Sequence, residues 1–223
     1  GYKAGMAHVM IKDNKPTSPT KGETIFMPVT IIECPAIKIT SSRFYKNTNS
    51  GQKLVSEILS EKLDKYLKRK INIPKKQKVT IPSLDDYDEV RILVYTQPNK
   101  LSTGKKKPEL MEISLGGKKE DQLNFIKEHE GKDIIINDVF EENELTDIHA
   151  VTKGKGFQGP VKRFGISLRS HKSEKTIRGP GSLGPWKGQT HIMWKVAHAG
   201  QTGYHTRTEH NKQIINISDN PEE

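Results

Sequence analysis

"VTKGKGFQGPVKRFG", residues Val151 to Gly165, holds Gly154, Gly156 and Gly159 in the spacing G-x-G-x-x-G. That spacing opens the helix of a dinucleotide-binding βαβ unit, and with Val161 it also matches the G-x-G-x-x-G-x-V loop that covers ATP. Glu174 lies about twenty residues on, where a ribose-binding acid would sit. The residues after the third glycine decide the fold. In a dinucleotide site that glycine packs the first turn of a helix against a strand, with the pyrophosphate at the helix N-terminus. Here "VKRFGISLRSHKSEKTIRGPG" has no apolar face at i, i+3, i+4, and Gly165 falls where a helix must propagate. No V-A-I-K, H-R-D or D-F-G comes after it, as a kinase would need. The sequence therefore predicts no helix after Gly159 and no cofactor; a nucleotide-binding enzyme using Gly154, Gly156 and Gly159 is the disfavoured alternative. Backbone brought close to phosphates by glycine, with Lys153, Lys155, Lys162 and Arg163 supplying charge, accounts for the stretch better.

The charge distribution points the same way. The 223 residues carry 37 Lys and Arg against 27 Asp and Glu, a formal charge of +10, with 32% apolar and 29% charged residues. Residues 1–150 hold 25 basic and 22 acidic residues, an ordinary solvated balance, whereas residues 151–210 hold 11 basic residues and two acids. Those sixty positions also contain ten of the 18 glycines and five of the eight histidines. Such a stretch implies an anionic polymer as partner. A single cysteine, Cys34, excludes an internal disulfide framework, and no run of apolar residues approaches a membrane span or a signal peptide, so a cytoplasmic protein is expected.

Along the chain, "AHVMI" and "TIFMPVTIIEC" read as strands, the second apolar on both faces as if buried, with Pro28 and Pro35 marking a bend or sheet edge. "GQKLVSEILSEKLDKYLKRK" sets Val55, Leu59, Leu63 and Leu67 at four-residue steps and predicts an amphipathic helix. "DEVRILVYTQP" predicts a strand, and "KKEDQLNFIKEHEGK" a helix with Leu123, Ile126 and Phe125 inward. "DIIINDVF" and "LTDIHAVTKG" predict strands around an acidic turn at Glu141, Glu142 and Asn143. From Lys153 to Gly188 no period of 2 or 3.6 persists, and "HIMWKVAHAG" and "NKQIINI" then resume strand-like alternation, with Trp194 half-buried in a strand. Trp186, alone among glycines and prolines, either staples the loop to the body or stacks on an unpaired base. His191, His198, His205 and His210 match no metal-ligand spacing, and no Ser/His/Asp or Cys/His arrangement suggests catalysis.

"AVTKGKGFQGPVKRFG", "GPWKGQTHIMWKVAHAGQTGYHTRTEHNK" and the opening "GYKAGMAHV" together resemble the ribosomal protein L3 family of the large subunit, in its archaeal and eukaryotic form. The resemblance covers nearly the whole chain and is most specific over residues 148–212. It implies an α+β, mainly β fold: a translation-factor-like β-barrel body (1–42 with 131–152 and 190–223), an α/β insertion (43–130) and a long basic loop extension (153–189) that penetrates rRNA toward the peptidyl transferase centre. By the same match, rRNA would be lined by Lys153, Lys155, Gly156, Phe157, Gly159, Lys162, Arg163, Phe164, Arg169, Lys172, Arg178, Trp186, Lys187, His191, His198, Tyr204, His205 and Arg207, with Trp186 near the extension's tip. Family members have a basic tail before "GYKAGM" and strands after "NKQIINI", so the resemblance implies a chain truncated at both ends; Lys162 and Phe164 stand where members often carry His and Trp. The implied partners are large-subunit rRNA and neighbouring ribosomal proteins, with no catalytic residue, metal, membrane or small-molecule substrate. A free RNA-binding translation or assembly factor is the other alternative.

Overall fold

The computed structural model describes residues 1–74, 82–172, 175–185 and 191–218. It is mainly β with few helices, and it divides into two compact units, Gly1–Phe140 and Glu141–Glu223. Four antiparallel sheets account for the strands, and among the described residues none closes into a barrel.

The first unit is built on β3 (Ile37–Thr48), which pairs on one edge with β4 (Gly51–Leu59) and on the other with β5 (Glu89–Thr96); β6 (Leu110–Ser114) completes the order β4-β3-β5-β6. Strand β5 alternates Val90, Ile92 and Val94 onto one face, all buried. Opposite them β3 places Ile39, Ser42 and Phe44, a step of three and then of two, because the register shifts between Ile39 and Ser41. That bulge keeps the inward residues in phase with their partners. The amphipathic helix α1 (Lys119–His129) lays Leu123, Phe125 and Ile126 on this face, as its periodicity predicts, and Phe44 meets Tyr87 edge to face at 4.9 Å between centroids.

The other face of the sheet is polar. Arg43 and Arg91 lie directly opposite one another, and their like charges are offset by Glu57 (3.2 Å from Arg43), Glu112 (2.9 Å from Arg43) and Glu89 (2.8 Å from Arg91). Half-exposed pairs of this kind contribute about 0.2–1 kcal/mol each, against about 1.5–3 kcal/mol for a fully buried apolar side chain. The core therefore holds the sheet, and the ion pairs tune its register.

Three expectations for this unit are corrected. The segment predicted as a helix from Gly51 to Lys70 is instead strand β4 followed by a 3-10 turn, Lys65–Arg69. The leucines do repeat every four residues, but β3 would be left with an unpaired edge, and the Asn49-Ser50 turn delivers the chain straight back along it. "TIFMPVTIIEC" is not buried on both faces: β2 (Thr24–Glu33) pairs only with β1 (Tyr2–Lys12), and Phe26 is 66% exposed. On a two-stranded ribbon both strands are edges, so Pro28, paired with His8, costs no ladder hydrogen bond beyond its own. "DIIINDVF" contributes a single bridge, Ile37 to Ile134, and then a 3-10 turn, Ile136–Asp138.

The second unit consists of two short ribbons. β7 (Leu145–Val151) pairs with β10 (Thr206–Gln213), and β8 (Gly156–Gln158) pairs with β9 (Gly200–Thr202). A one-turn helix, α2 (Pro160–Phe164), comes after β8. Phe44→Ala is expected to destabilise the first unit by about 3–5 kcal/mol in thermal or urea unfolding, while the exposed Met10→Ala stays within about 0.5 kcal/mol. Equal losses at the two positions would show that the core lies elsewhere.

Candidate nucleic-acid interface

The basic stretch begins where β7 hands the chain to β8. Thr152 N–H donates to the His205 carbonyl (3.0 Å), Tyr204 N–H to the Thr152 carbonyl (3.1 Å) and Lys155 N–H to the Thr202 carbonyl (2.9 Å). Thr152 is thus tied through its backbone to Tyr204 and His205, and Lys155 to Thr202, while the side chains of Lys153 and Lys155 are exposed. This crossing depends on Gly203, with φ at 74°. A Cβ there would come to 1.9 Å from the Lys153 carbonyl oxygen.

The three glycines of the opening motif do something else. Gly156 has φ at 69°, which an L side chain rarely adopts, but a Cβ at Gly156 or at Gly159 would meet nothing within 4 Å. The helix predicted to be absent is present. Pro160 starts it at the first helical position, and Gly165, left-handed at φ 68°, stops it after five residues. Even so, the third glycine packs no helix against a strand, which is what a dinucleotide fingerprint requires of it.

The cations fall into two kinds. Arg163 donates from Nη1 to the His198 carbonyl (2.9 Å), lies over Gly200 and sits 5.0 Å from the Phe164 ring. Arg169 binds the Gly181 carbonyl from Nη2 (2.8 Å) and also the Pro180 carbonyl. These two guanidinium groups staple loop to loop. By contrast, among the described residues no carboxylate lies within ion-pair distance of Lys153, Lys155, Lys162, Lys172, Arg178 or Arg207. Lys38, Arg43, Lys70, Arg91, Lys100 and Lys105 in the first unit, and Lys212 in the second, are by comparison paired with carboxylates.

Aromatic rings accompany the unpaired cations. Phe157 is 76% exposed, Phe164 57% and Tyr204 77%, the last with φ at 57°. Trp194 is also outward: it is 93% exposed in a turn, not half-buried in a strand as predicted, because residues 191–199 form no ladder. Sequence reasoning missed this exposed ring because the alternation in "HIMWKV" disguised it. "NKQIINI" is strand only as far as Gln213. Lys172, Arg178 and His191 are exposed and held to the other site residues by no described hydrogen bond, and Trp186 and Lys187 lie outside the described residues.

Among the described residues, no three His, Cys, Asp or Glu side chains converge as a metal site. His210 Nδ1 instead lies 2.8 Å from Asp147, whose carboxyl is held below its usual range by that contact. No described helix is long and apolar enough to cross a membrane.

Unpaired cations interleaved with outward rings have the make-up of a polyanion-binding surface. The chain is similar along its whole length to proteins of the large ribosomal subunit. The large ribosomal subunit protein uL3 of Archaeoglobus fulgidus is 45% identical over 231 residues, covering 100% of this chain and 69% of that protein. That of Methanocaldococcus jannaschii is also 45% identical with the same coverage, and that of Methanosphaera stadtmanae 43% identical, covering 100% and 68%. A family model described as "Ribosomal protein L3" matches residues 1–223, so the chain belongs to the ribosomal protein L3 family.

Gly203→Ala is expected to destabilise the second unit by more than about 1 kcal/mol and to abolish hydrogen-exchange protection at Lys155, while Gly159→Ala is close to neutral. The opposite ranking would restore the nucleotide-fingerprint reading.

Proposed function

We propose that the chain binds large-subunit rRNA through residues 153–207 as a structural constituent of the large ribosomal subunit. The ribosomal protein L3 family is structural rather than enzymatic, and its named relatives are proteins of the large subunit. The observation that carries the reading is that unpaired cations and exposed rings recur within a stretch holding 11 basic residues and two acids. Lys155 lies two residues before the exposed Phe157 and Lys162 two before the exposed Phe164, and Lys153, Lys155 and Lys162 have no carboxylate partner among the described residues. A phosphate backbone supplies that counter-charge, and unpaired bases stack on the rings.

In this proposal Gly156, Phe157, Gly159, Phe164, Arg169, Lys172, Arg178, Trp186, Lys187, His191, His198, Tyr204, His205 and Arg207 complete the contact. The extension spans 153–189 and leaves a barrel-type body formed by 1–42, 131–152 and 190–223, with 43–130 as the insertion. The exposed apolar residues of the β1–β2 ribbon support that body, since Met6, Met10 and Phe26 are left without cover in a two-stranded sheet. The protein acts in the cytoplasm beside neighbouring ribosomal proteins, supports early subunit assembly, and reaches toward the peptidyl transferase centre with Trp186. Its influence on peptide-bond formation is through rRNA positioning.

Affinity for an rRNA fragment should fall with salt, with a log-log slope of about 0.7 to 0.9 per phosphate neutralised. Replacing Lys153, Lys155 and Lys162 together by Ala should lower that slope by about 2 to 3 while leaving thermal unfolding unchanged. A slope unaffected by the triple substitution sinks the proposal. Trp186→Ala should weaken rRNA-fragment binding without lowering the melting temperature, and a lowered melting temperature would assign the indole to packing.

A further inference from the structure

Residues 1–150 are nearly balanced in charge, but the fold of the first unit does not distribute that charge evenly. Residues 65–70 carry Lys65, Lys68, Arg69 and Lys70, and residues 100–107 carry Lys100, Lys105, Lys106 and Lys107, with no acid in either segment. The structure brings the two segments together. Tyr66 and Arg69 from the 3-10 turn Lys65–Arg69 line one side of a shallow pocket of about 200 Å³, and Asn99, Lys105 and Lys106 line the other.

Both walls are fixed from beneath. Leu67 is buried and anchors the turn, while Asp64, just before it, accepts from the Tyr95 hydroxyl (2.7 Å) and from Lys38 (3.3 Å). Across the pocket, buried Gln97 donates to the Ala36 carbonyl (3.1 Å) and to Asp133 (2.7 Å), and Pro98 beside it is buried. Gly104, at φ 72°, turns the loop so that Lys105 and Lys106 both reach the pocket.

The charge is only partly answered from within. Glu109 neutralises Lys70 and Lys105, and Asp133 neutralises Lys100. Lys65, Lys68, Arg69, Lys106 and Lys107 are exposed, and among the described residues no carboxylate lies within ion-pair distance of them. Arg69 lies 6.0 Å from the centre of the exposed Tyr66 ring, so cation and ring share one platform.

We propose that this pocket is a second RNA-contact site: Arg69, Lys106 and Asn99 hold a backbone phosphate, and Tyr66 stacks an adjacent unpaired base. The ligand class rests on the proposed function, but the site shares no residue with the 153–207 surface. An acidic protein segment would answer the charge but would leave the ring without a planar partner, and a guanidinium beside an open aromatic face is the pairing that unpaired nucleotides use. The platform is pre-organised by Leu67 and Gln97, so binding orders little of the protein.

The test uses the full chain and a labelled short oligouridylate, with binding read by fluorescence anisotropy across a salt series. Arg69→Ala with Lys106→Ala should lower the salt slope by about 0.7 for each phosphate contact removed. Tyr66→Ala should weaken binding about fivefold or more, and Tyr66→Phe should retain wild-type affinity because the ring is kept. All three residues have exposed side chains, so these changes should leave the melting temperature in place. Unchanged affinity and slope in the Arg69/Lys106 variant would overturn this site, whatever the Lys153/Lys155/Lys162 variant does. Loss in the Arg69/Lys106 variant with no loss in the triple variant would keep this site and remove the proposed function of the extension.

Discussion

A β-strand leaves a row of backbone donors and acceptors on each of its edges, and in the first unit β3 can satisfy both rows only by lying between β4 and β5. Most of the unit is built around that placement. Pairing with β5 brings Ile39 and Phe44 beside Val94 and Val90 and makes the face that α1 covers. Pairing with β4 overrides the helical spacing of residues 51–70 and places Glu57 where it meets Arg43. The shift between Ile39 and Ser41 is the accommodation that lets one strand serve both neighbours while keeping its apolar residues inward.

Cations are neutralised at some positions of the fold and left open at others. On the open face of the four-stranded sheet, two arginines set opposite each other are tolerable because Glu57, Glu89 and Glu112 surround them. In the second unit, Arg163 and Arg169 donate to backbone carbonyls, and Lys153, Lys155 and Lys162 find no carboxylate among the described residues. Among the described residues between β7 and β10, the regular structure is a single helical turn and two three-residue strands, and no apolar side chain there belongs to the buried core. Gly203 is the point where backbone crosses backbone too closely for any side chain.

Legibility tracks the range of the interactions. Helix α1 and strand β5 are readable because each presents one period to one core, with Leu123 and Ile126 in the first and Val90, Ile92 and Val94 in the second. β4 is not, since Val55, Leu59, Leu63 and Leu67 fit a helix better than a strand and only the edge of β3 decides otherwise. Helix α2 is too short to show a period, and only Pro160 and Gly165 mark its ends. Trp194 looks like a strand residue because alternation records which residues could share a face, not whether a neighbouring strand exists to cover it.

The sequence by itself determined that residues 151–210 are basic, glycine-rich and poor in core-forming pattern, because charge and composition are local properties that no fold can alter. It likewise carried the family, through motifs spread over the chain. Only tertiary structure decided which cations are free, since a lysine is neutralised by whatever carboxylate the fold sets beside it. Lys105 is held by Glu109 while Lys106, next in the chain, is not. It also decided that two basic segments some thirty residues apart in a nearly neutral region meet around one pocket, because pairing strands across a sheet makes neighbours of residues that no sequence window contains together.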